Sequence, residues 1–320
     1  MTTLPNLEDM PNVVLSNIFE KTGISGILKF RKVSRSFREF LEVSPMNSGI
    51  IQMNFSVFRD LISLKFYEKD SENLEISGIQ YSKSGENNCE IRYGNSGKAL
   101  KDSEYSNRFF EDLKIILTYQ KSIINILQFV CPVPFFISNY QEFVRKFQKT
   151  LENFKLKVKI FHMQHSNFED IFGILKNLDS REIEEISIFS MTAEQSNNKE
   201  IDNWVNLDQW KMAKRLKIRN VSMDQSIIDF LHFEEVHIEL RTISANDMIL
   251  VAQKFLTSPI PKDYCIEYLD FPDESKFSDF LGPQNVVNEE NSAKIVFQST
   301  EDENYLRFCR CFLANVEENS

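Results

Sequence analysis

Histidine and cysteine are the first side chains to consider for chemistry, because they bind metals and act in catalysis. His162 and His165 are three residues apart, a spacing that places two imidazoles on one face of a helix. They fall, however, at the end of a predicted strand, with no third ligand near them. The five cysteines are scattered and form no CxxC pair. We interpret the histidines as structural and the cysteines as free thiols in a reducing compartment, and we expect no disulfide, metal or cofactor.

Two further patterns concern catalysis. GNSGK at residues 94–98 resembles a phosphate-binding loop, but the Walker spacing GxxxxGK[ST] is absent, so we predict a turn. No GxSxG motif occurs, no cysteine has an obvious histidine partner, and the carboxylates are dispersed. The chain has only 9 glycines, which leaves little room for loops that cradle nucleotides. We therefore predict that the protein is not an enzyme and has no catalytic residues.

Composition restricts the class of partner. The chain has 320 residues, is 42% hydrophobic and 26% charged, and carries a net charge of -10. These values are typical of a soluble globular protein that is acidic overall, and they argue against nucleic acid as the partner. The basic run from Lys29 to Glu39 is interpreted as a solvated helix face. No signal peptide or membrane span is evident, so we predict no membrane partner and a cytoplasmic or nuclear location.

The first 44 residues predict short helices whose apolar residues occupy more than one face. Met10, Val14 and Ile18 form one row at a spacing of four, and Leu15 and Phe19 form an adjoining row. A helix on the surface of a single domain usually has one apolar stripe, which faces its own core. This segment is therefore either buried within its own fold or half of an interface with a partner.

The middle of the chain predicts strands and then helices. From Gly49 to about Glu104 the apolar runs are short, rich in Ile, Phe and Tyr, and separated by polar turns, which indicates antiparallel strands. The spacing of apolar residues predicts one helix from Asn107 to Val130 and another from Tyr140 to Leu151.

Strands and helices alternate from Lys157 to Phe271. Five strand-like pieces, VKIFH, EISIF, LKIRN, VHIEL and CIEYL, recur every 20 to 30 residues, and a helical segment follows each of the first four. Capping-box patterns precede the helices at Ser166, Asn206, Ser222 and Ser244. This alternation predicts an α/β solenoid resembling leucine-rich repeats. The tail, KIVFQSTEDENYLRFCRCFL, predicts a hairpin.

One face of the predicted strands is a candidate binding surface. If the leading apolar residues of each strand point into the core, alternate residues point outward. The outward residues we assign to binding of a target protein are Phe161, Phe189, Arg219 and Glu239. The alternative is that a helix or the C-terminal segment covers this face.

The stretch LEDMPNVVLSNIFEKTGISGILKFRKVSRSFREFL, residues 7–41, resembles an F-box. Met10 and Pro11 match its Leu-Pro start, and Val33, Arg35 and Phe37 match its Val-Cys-Arg-x-Trp ending. Thr22, Gly26, Ser34 and Phe37 stand where the family usually has Leu, Asp, Cys and Trp. The resemblance implies a three-helix domain that binds a Skp-type adaptor and, through it, a cullin. The adaptor-binding residues it implies are Met10, Pro11, Val14, Leu15, Ile18, Phe19, Ile27, Leu28, Val33 and Phe37.

The rest of the chain resembles the FTH domain of nematode F-box proteins. The segments that carry this resemblance are NWVNLDQWKMAKRLKI, FLHFEEVHIEL and ISANDMILVAQKFLTSP. The expected fold is α/β: an F-box at residues 4–44, a β-rich segment at 45–106 and an FTH-type repeat region at 107–320. The resemblance implies a substrate receptor of an SCF-type ubiquitin ligase that captures an unknown target protein for ubiquitin-dependent degradation. The alternative is a ligase-independent protein that binds or sequesters its partner.

Overall fold

The computed structural model describes residues 7–44, 47–68, 77–85, 88–131, 140–164, 168–190, 203–258, 260, 262–273, 276, 286–289, 292–298 and 305–310, the last three ranges as backbone only. Two compact units are present: residues 1–162 with 173–182, and residues 163–172 with 183–320. Each has a mixed α/β fold. Within the described residues, no helix has the length and apolar character needed to cross a membrane.

The first unit begins with helices. A 3-10 turn, Leu7–Asp9, precedes helices α1, Asn12–Val33, and α2, Arg35–Val43. Helix α1 is broken at Gly23, where φ is 59° and ψ is -167°, a conformation that L side chains rarely adopt. Ser34 ends α1 with extended backbone and caps α2 by accepting a hydrogen bond from the N–H of Ser36. We call residues 7–43 the helical start. After the 3-10 turn it contains three helical segments: the two parts of α1 on either side of Gly23, and α2.

The sheet of the first unit follows. Strands β1, Ile50–Phe58, β2, Leu61–Glu68, β3, Ser77–Lys83, β4, Cys89–Tyr93, and β5, Ser96–Leu100, form an antiparallel meander. Helix α3, Tyr105–Tyr119, leads to β6, Ile124–Val130, which pairs with β1 in parallel. Helix α4, Tyr140–Glu152, and β7, Val158–Gln164, come next.

The prediction of one helix from 107 to 130 is wrong. Helix α3 ends at Tyr119, Gln120 has extended backbone, and residues 124–130 form β6. Ile124 and Leu127 are both buried, three residues apart, so their spacing fits a helix as well as a strand. The pairing of β6 with β1, which is a long-range contact, decides between the two.

Aromatic rings fill the core where α3 and α4 cover the first sheet. Phe147 of α4 lies 5.1 Å from Phe55 of β1 and 5.3 Å from Phe129 of β6, measured between ring centroids. Phe109 of α3 lies 5.6 Å from Tyr81 of β3. The Tyr81 hydroxyl donates to Asp112, which also accepts from Arg108. The helices are thus fixed to the sheet by rings and by a hydrogen-bonded network.

The second unit contains parallel strands. Helix α5, Phe168–Leu175, precedes β8, Glu185–Phe189, and then come β9, Arg215–Met223, β10, Glu235–Thr242, and β11, Asp263–Asp270. Strands β8 to β11 pair in parallel in chain order. Helices α6, Asp208–Met212, and α7, Ala245–Thr257, and two 3-10 turns, Trp204–Asn206 and Ile227–Phe230, connect them. The predicted strand at each of the five positions is confirmed.

The last described residues form three further strands, β12, Val286–Glu289, β13, Ser292–Gln298, and β14, Tyr305–Arg310. Strand β14 pairs in parallel with β11, and β13 pairs antiparallel with β14. The predicted hairpin in the tail is therefore confirmed.

Only part of the predicted capping is present. Ser244 and Asp247 form a complete capping box at α7. Ser222 lies within β9, and Ser226 caps the turn that follows it. Leu207, not Asn206, is the N-cap of α6. The predicted cap at Ser166 lies outside the described residues.

The tryptophans of the FTH-like motif are structural. Trp204 and Trp210 are buried, and the ring of Trp210 packs 5.2 Å from that of Phe233. The Trp210 indole N–H donates to the carbonyl of Asp229 at 3.2 Å, and a ring nitrogen of His232 lies 3.0 Å from the Trp210 carbonyl. This motif ties α6 to the turn after β9.

Candidate functional site: the surface of the helical start

The two apolar rows of α1 lie in different environments. Leu15 and Phe19 are buried, with 5% and 0% of their surface exposed. Val13 is 73% exposed and Val14 is 39% exposed. The row of Leu15 and Phe19 therefore packs inside the first unit, whereas the row of Met10, Val14 and Ile18 is exposed at Val14 and half-buried at the other two positions.

An aromatic cluster explains which row is buried. The Phe19 ring lies 4.8 Å from the ring of Phe30 and 5.7 Å from the ring of Phe37, both in edge-to-face arrangements. Phe40 lies 5.8 Å from Phe19 and completes the cluster. These four rings join the three helical segments, since each segment contributes at least one. Sequence reasoning assigned Phe37 to the adaptor and did not identify Phe30 and Phe40, which are half-buried, as members of this cluster.

The ten residues implied to bind an adaptor do not share one surface. Four are buried within the first unit: Leu15, Phe19, Ile27 and Phe37. Three are half-buried: Met10, Ile18 and Leu28. Three are exposed: Pro11, Val14 and Val33. In this fold the four buried side chains are closed to a partner, because they already pack against one another and their neighbours.

Exposed apolar residues that sequence reasoning missed lie beside the predicted ones. Val13 and Val43 are 73% and 82% exposed, and Val33, which was predicted, is 73% exposed. Val13 lies next to the row of Met10, Val14 and Ile18 in sequence, which is the signal that could have found it. Val13 and Val14 are consecutive exposed residues, and this aliphatic pair is a candidate contact for a protein partner.

Polar contacts hold the helical start against the rest of the first unit. Arg31 donates to the hydroxyl of Tyr119 in α3 at 2.8 Å and to Glu42 in α2 at 3.2 Å. The hydroxyl of Tyr93 in β4 hydrogen-bonds the hydroxyl of Ser25 at 2.5 Å. The basic run is thus not entirely a solvated face, because the Arg31 side chain is only 16% exposed.

The second candidate surface is the outward face of β8, β9 and β10. Arg219 is exposed, Phe189 and Glu239 are half-buried, and Phe189 is the direct cross-strand partner of Arg219. The partner of Glu239 is Ser222, with which it hydrogen-bonds, because a bulge interrupts the register of β9. Asn220, within this bulge, has a φ of 60°.

The prediction that Phe161 points outward is wrong. Its side chain is completely buried. The buried positions of β7 are Val158, Phe161 and Met163, so strict alternation breaks between 158 and 161. A shift by one residue moves all later side chains to the opposite face. Phe161 therefore lies in the interior and is not part of the outward surface.

Ion pairs cover much of this sheet face. The Lys217 ammonium lies 2.9 Å from Glu235 and 3.6 Å from Glu185, on the two neighbouring strands. Arg215 donates to Glu185 at 2.9 Å, and this hydrogen bond raises the pKa of the guanidinium above its ordinary value. Opposite charges on adjacent strands stabilise the sheet and leave a polar surface.

One set of residues on the described part of the chain has the geometry of a metal site. Ligand atoms of Glu235, His237 and Asp263 lie within 4.8 Å of one another. The ammonium of Lys217, 2.9 Å from Glu235, already neutralises one of the carboxylates. His165, the other histidine weighed for metal binding with His162, lies outside the described residues. Nothing in this arrangement indicates a metal beyond proximity.

Comparison with known proteins agrees with this geometry. The F-box domain model matches residues 7–45, and the FTH domain model matches residues 141–284. A curated protein of Caenorhabditis elegans, F-box A protein 224, is 20% identical over 303 residues, which cover 91% of this chain and 73% of that protein. No solved structure matches the chain.

These matches define the class of protein. F-box domains in general bind Skp-type adaptors and serve as substrate adaptors of SCF-type ubiquitin ligases, and FTH domains are likewise interaction domains. The chain carries an F-box domain followed by an FTH domain, and over most of its length it is similar to a nematode F-box protein.

Proposed function

We propose that this protein is a substrate-recognition subunit of an SCF-type ubiquitin ligase. Its helical start binds a Skp-type adaptor and, through it, a cullin, and its strand-rich region binds a target protein. The observation that carries the proposal is the exposure of Val13 and Val14, at 73% and 39%, on the first helix of a matched F-box. Such a receptor does no chemistry, because it acts by raising the local concentration of its target near the conjugating enzyme.

The adaptor surface in this proposal is the exposed part of the helical start. It consists of Pro11, Val13, Val14 and Val33, with the half-buried Met10 and Ile18 beside them. Leu15, Phe19, Ile27 and Phe37 support this surface from inside. Aspartate substitutions at exposed positions therefore test adaptor binding, whereas Leu15→Asp tests mainly the stability of the fold.

The target surface in this proposal is the open sheet face of β8 to β10, around Phe189, Arg219 and Glu239. The parallel order of β8 to β11, with helical segments between the strands, supports the interpretation of this region as a solenoid resembling leucine-rich repeats. Phe189 is the aromatic residue of this set, the type that most often dominates binding energy.

The domain boundaries at 4–44, 45–106 and 107–320 stay predictions. Strand β1 of the second segment pairs with β6 of the third, so these two segments share a sheet in the first unit. The cytoplasmic or nuclear location also stays a prediction.

The experiment is reconstitution with a Skp-type adaptor and a cullin, followed by size-exclusion chromatography. The proposal expects a three-component complex for the wild type and its loss for Val13→Asp/Val14→Asp. The matched control is Met212→Asp/Ile228→Asp, which adds the same two charges at residues 56% and 64% exposed in the second unit. Target capture is compared in the same way between the wild type and Phe189→Ala/Arg219→Ala.

A ligase-independent binding or sequestering protein is the second candidate. The burial of Leu15, Phe19, Ile27 and Phe37 in their own cluster favours it, because the helical start then also serves the fold. This candidate expects a folded wild-type chain that forms no complex with any Skp-type adaptor and still captures its target.

A further inference from the structure

A cavity of about 450 Å³ lies in the first unit, between the helical start and the sheet with α3. Its walls come from the second part of α1, from α2, from β3 and β4, and from α3. It is separate from both candidate surfaces described above. The volume lies in the range of about 300–1,000 Å³ that small-molecule sites occupy.

One wall of the cavity is basic. Five cationic side chains line it: Lys29, Arg31, Lys32, Arg38 and Arg108. Among the described residues that line it, Asp112 supplies the only carboxylate. Such a concentration of positive charge is unexpected in a chain whose net charge is -10. Like charges around one space repel each other, and an anion inside that space relieves the repulsion.

Only some of these charges are already neutralised. Arg108 pairs with Asp112 at 2.7 Å and with Glu111 at 2.9 Å, and Arg31 pairs with Glu42. Across the residues that the structure describes, Lys29, Lys32 and Arg38 have no carboxylate within 4.0 Å.

Two of these three cations make neutral contacts. The Arg38 guanidinium donates twice to the carbonyl of Arg31, at 3.1 and 3.2 Å, and the Lys29 ammonium lies 5.8 Å from the centre of the Tyr93 ring. A carbonyl and an aromatic ring leave the net charge in place. The cavity therefore retains an excess of positive charge from the helical start.

A buried donor lies on the same wall. The Nε atom of Arg108 is buried and has no hydrogen-bond acceptor among the described residues, although the other two guanidinium nitrogens are paired. A buried N–H without an acceptor costs about 1–3 kcal/mol, so such groups usually have a partner.

The remaining wall is apolar. It is lined by Leu28, Ile79, Ile91 and Ile115, together with the ring of Tyr93. A simple anion such as phosphate would make no use of this surface. A ligand with an acidic head and an apolar body would place the head among the cations and the body against the aliphatic side chains.

We propose that this cavity binds a small amphipathic anion, a molecule with a phosphate or carboxylate head and an apolar body. The head contacts Lys29, Lys32 and Arg38 from the helical start, and the body packs on Ile79 and Ile91 of the sheet. The ligand thereby bridges the F-box helices and the sheet of the first unit. The inference is independent of adaptor binding, since none of the exposed residues Val13, Val14 and Val33 lines the cavity.

The test uses octyl phosphate, titrated into the full chain by isothermal titration calorimetry. Inorganic phosphate has the head without the body, and octyl glucoside has the same alkyl chain on a neutral head. The proposal expects saturable 1:1 binding of octyl phosphate, at least about tenfold weaker binding of each comparator, and weakening by added salt. Nonanoate, which carries a carboxylate on the same eight-carbon chain, should bind as well, because its head is also an anion.

A pair of variants locates the site. Lys29→Gln/Lys32→Gln should weaken octyl phosphate binding by about tenfold or more, because two charge-assisted contacts are removed. The control Lys114→Gln/Lys121→Gln removes the same charge at two exposed lysines outside the cavity and should bind as the wild type does. Thermal melts establish that both variants are folded.

Three results would overturn the proposal. The first is absence of saturable octyl phosphate binding, and the second is equal weakening by the two lysine pairs. The third is equal binding of octyl glucoside, which would show that the charges play no part. If an acidic peptide bound where octyl phosphate did not, which is a case of the first result, a protein segment would be the occupant instead.

Discussion

Val14 and Leu15 are consecutive residues of α1, and 39% of Val14 but only 5% of Leu15 is exposed. Leu15 lies on the side that carries Phe19 and its aromatic partners, whereas Val14 belongs to the adjoining row. One helix thus supplies both a core face and a free apolar face. The first face holds the three helical segments together, and the second is available to a partner.

Aspartate at these two neighbouring positions should affect stability very differently. Leu15→Asp places a carboxylate in an apolar interior and should lower the free energy of unfolding by about 3 kcal/mol or more. Val14→Asp adds a carboxylate in the first turn of α1, where the helix dipole favours it, and should change stability by less than about 0.5 kcal/mol. Urea unfolding, monitored by far-UV circular dichroism, measures the free energy of unfolding of both variants. Equal decreases in the two would contradict the assignment of one buried and one exposed face.

The break at Gly23 should tolerate no side chain. With φ at 59° and ψ at -167°, alanine would adopt a backbone conformation that costs roughly 1–3 kcal/mol. The added Cβ would also meet the carboxylate end of Glu68, which can move aside. Gly23→Ala should therefore lower the melting temperature.

Gly78→Ala is the control for this change, because its Cβ would make ordinary contacts and its φ is not positive. It should be neutral or slightly stabilising. If Gly23→Ala had the same melting temperature as Gly78→Ala, the break at Gly23 would not be required by the packing of the helical start.

The capping box at α7 should contribute measurably to the stability of the second unit. The Ser244 hydroxyl accepts from the N–H of Asp247, and the Asp247 carboxylate accepts in return from the N–H of Ser244. Ser244→Ala should cost about 1 kcal/mol. Ser226→Ala, which removes one long bond of 3.4 Å at an exposed 3-10 turn, should cost less.

Tryptophan fluorescence measures this difference cleanly. The 2 tryptophans of the chain, Trp204 and Trp210, both lie in the second unit, so their signal follows the unfolding of that unit. If Ser244→Ala and Ser226→Ala lowered the free energy of unfolding equally, the larger contribution expected of the capping box would be contradicted.

Asp179 should make a pH-dependent contribution to the stability of the first unit. Its carboxylate accepts from the Arg181 guanidinium at 2.7 and 3.0 Å, and these hydrogen bonds lower the pKa of Asp179 from 3.8 to about 2. Because the pKa is lower in the folded state, the stabilisation is complete above pH 3.8 and disappears as the pH falls towards 2. Asp179→Asn should therefore cost about 1 kcal/mol at neutral pH, a modest value because Arg181 is largely exposed.

Urea unfolding of the wild type and Asp179→Asn at pH 7 and at pH 3 checks this expectation. The difference in the free energy of unfolding should narrow at the lower pH. A difference that stayed constant would mean that the loss arises from something other than the ionised carboxylate.

Local pattern was enough to predict most strands and several helices. The pieces at Val158, Ile186, Leu216, Val236 and Ile266 lie in strands because alternating burial and β-branched residues act over a few positions. It was not enough for β6, where Ile124 and Leu127 fit two periodicities and the pairing with β1, about 70 residues away, makes the choice. Likewise a shift of the alternation within β7 placed Phe161 in the interior.

The candidate site was predicted in outline. The two apolar rows of α1 are visible in the sequence, and so is the resemblance to an F-box. Which row is buried depends on where Phe30, Phe37 and Phe40 meet Phe19, and these contacts join residues from three helical segments. The sequence also shows the basic run from Lys29 to Glu39, but only the fold brings it to the apolar residues of β3 and β4.

The affinity of the chain for a Skp-type adaptor, measured by isothermal titration calorimetry, tests the central claim most directly. We predict 1:1 binding by the wild type and by Met212→Asp/Ile228→Asp, and a loss of affinity of at least about a hundredfold for Val13→Asp/Val14→Asp. Circular dichroism of all three proteins should be the same. Equal affinities for the three proteins, or no binding by a folded wild type, would contradict the account.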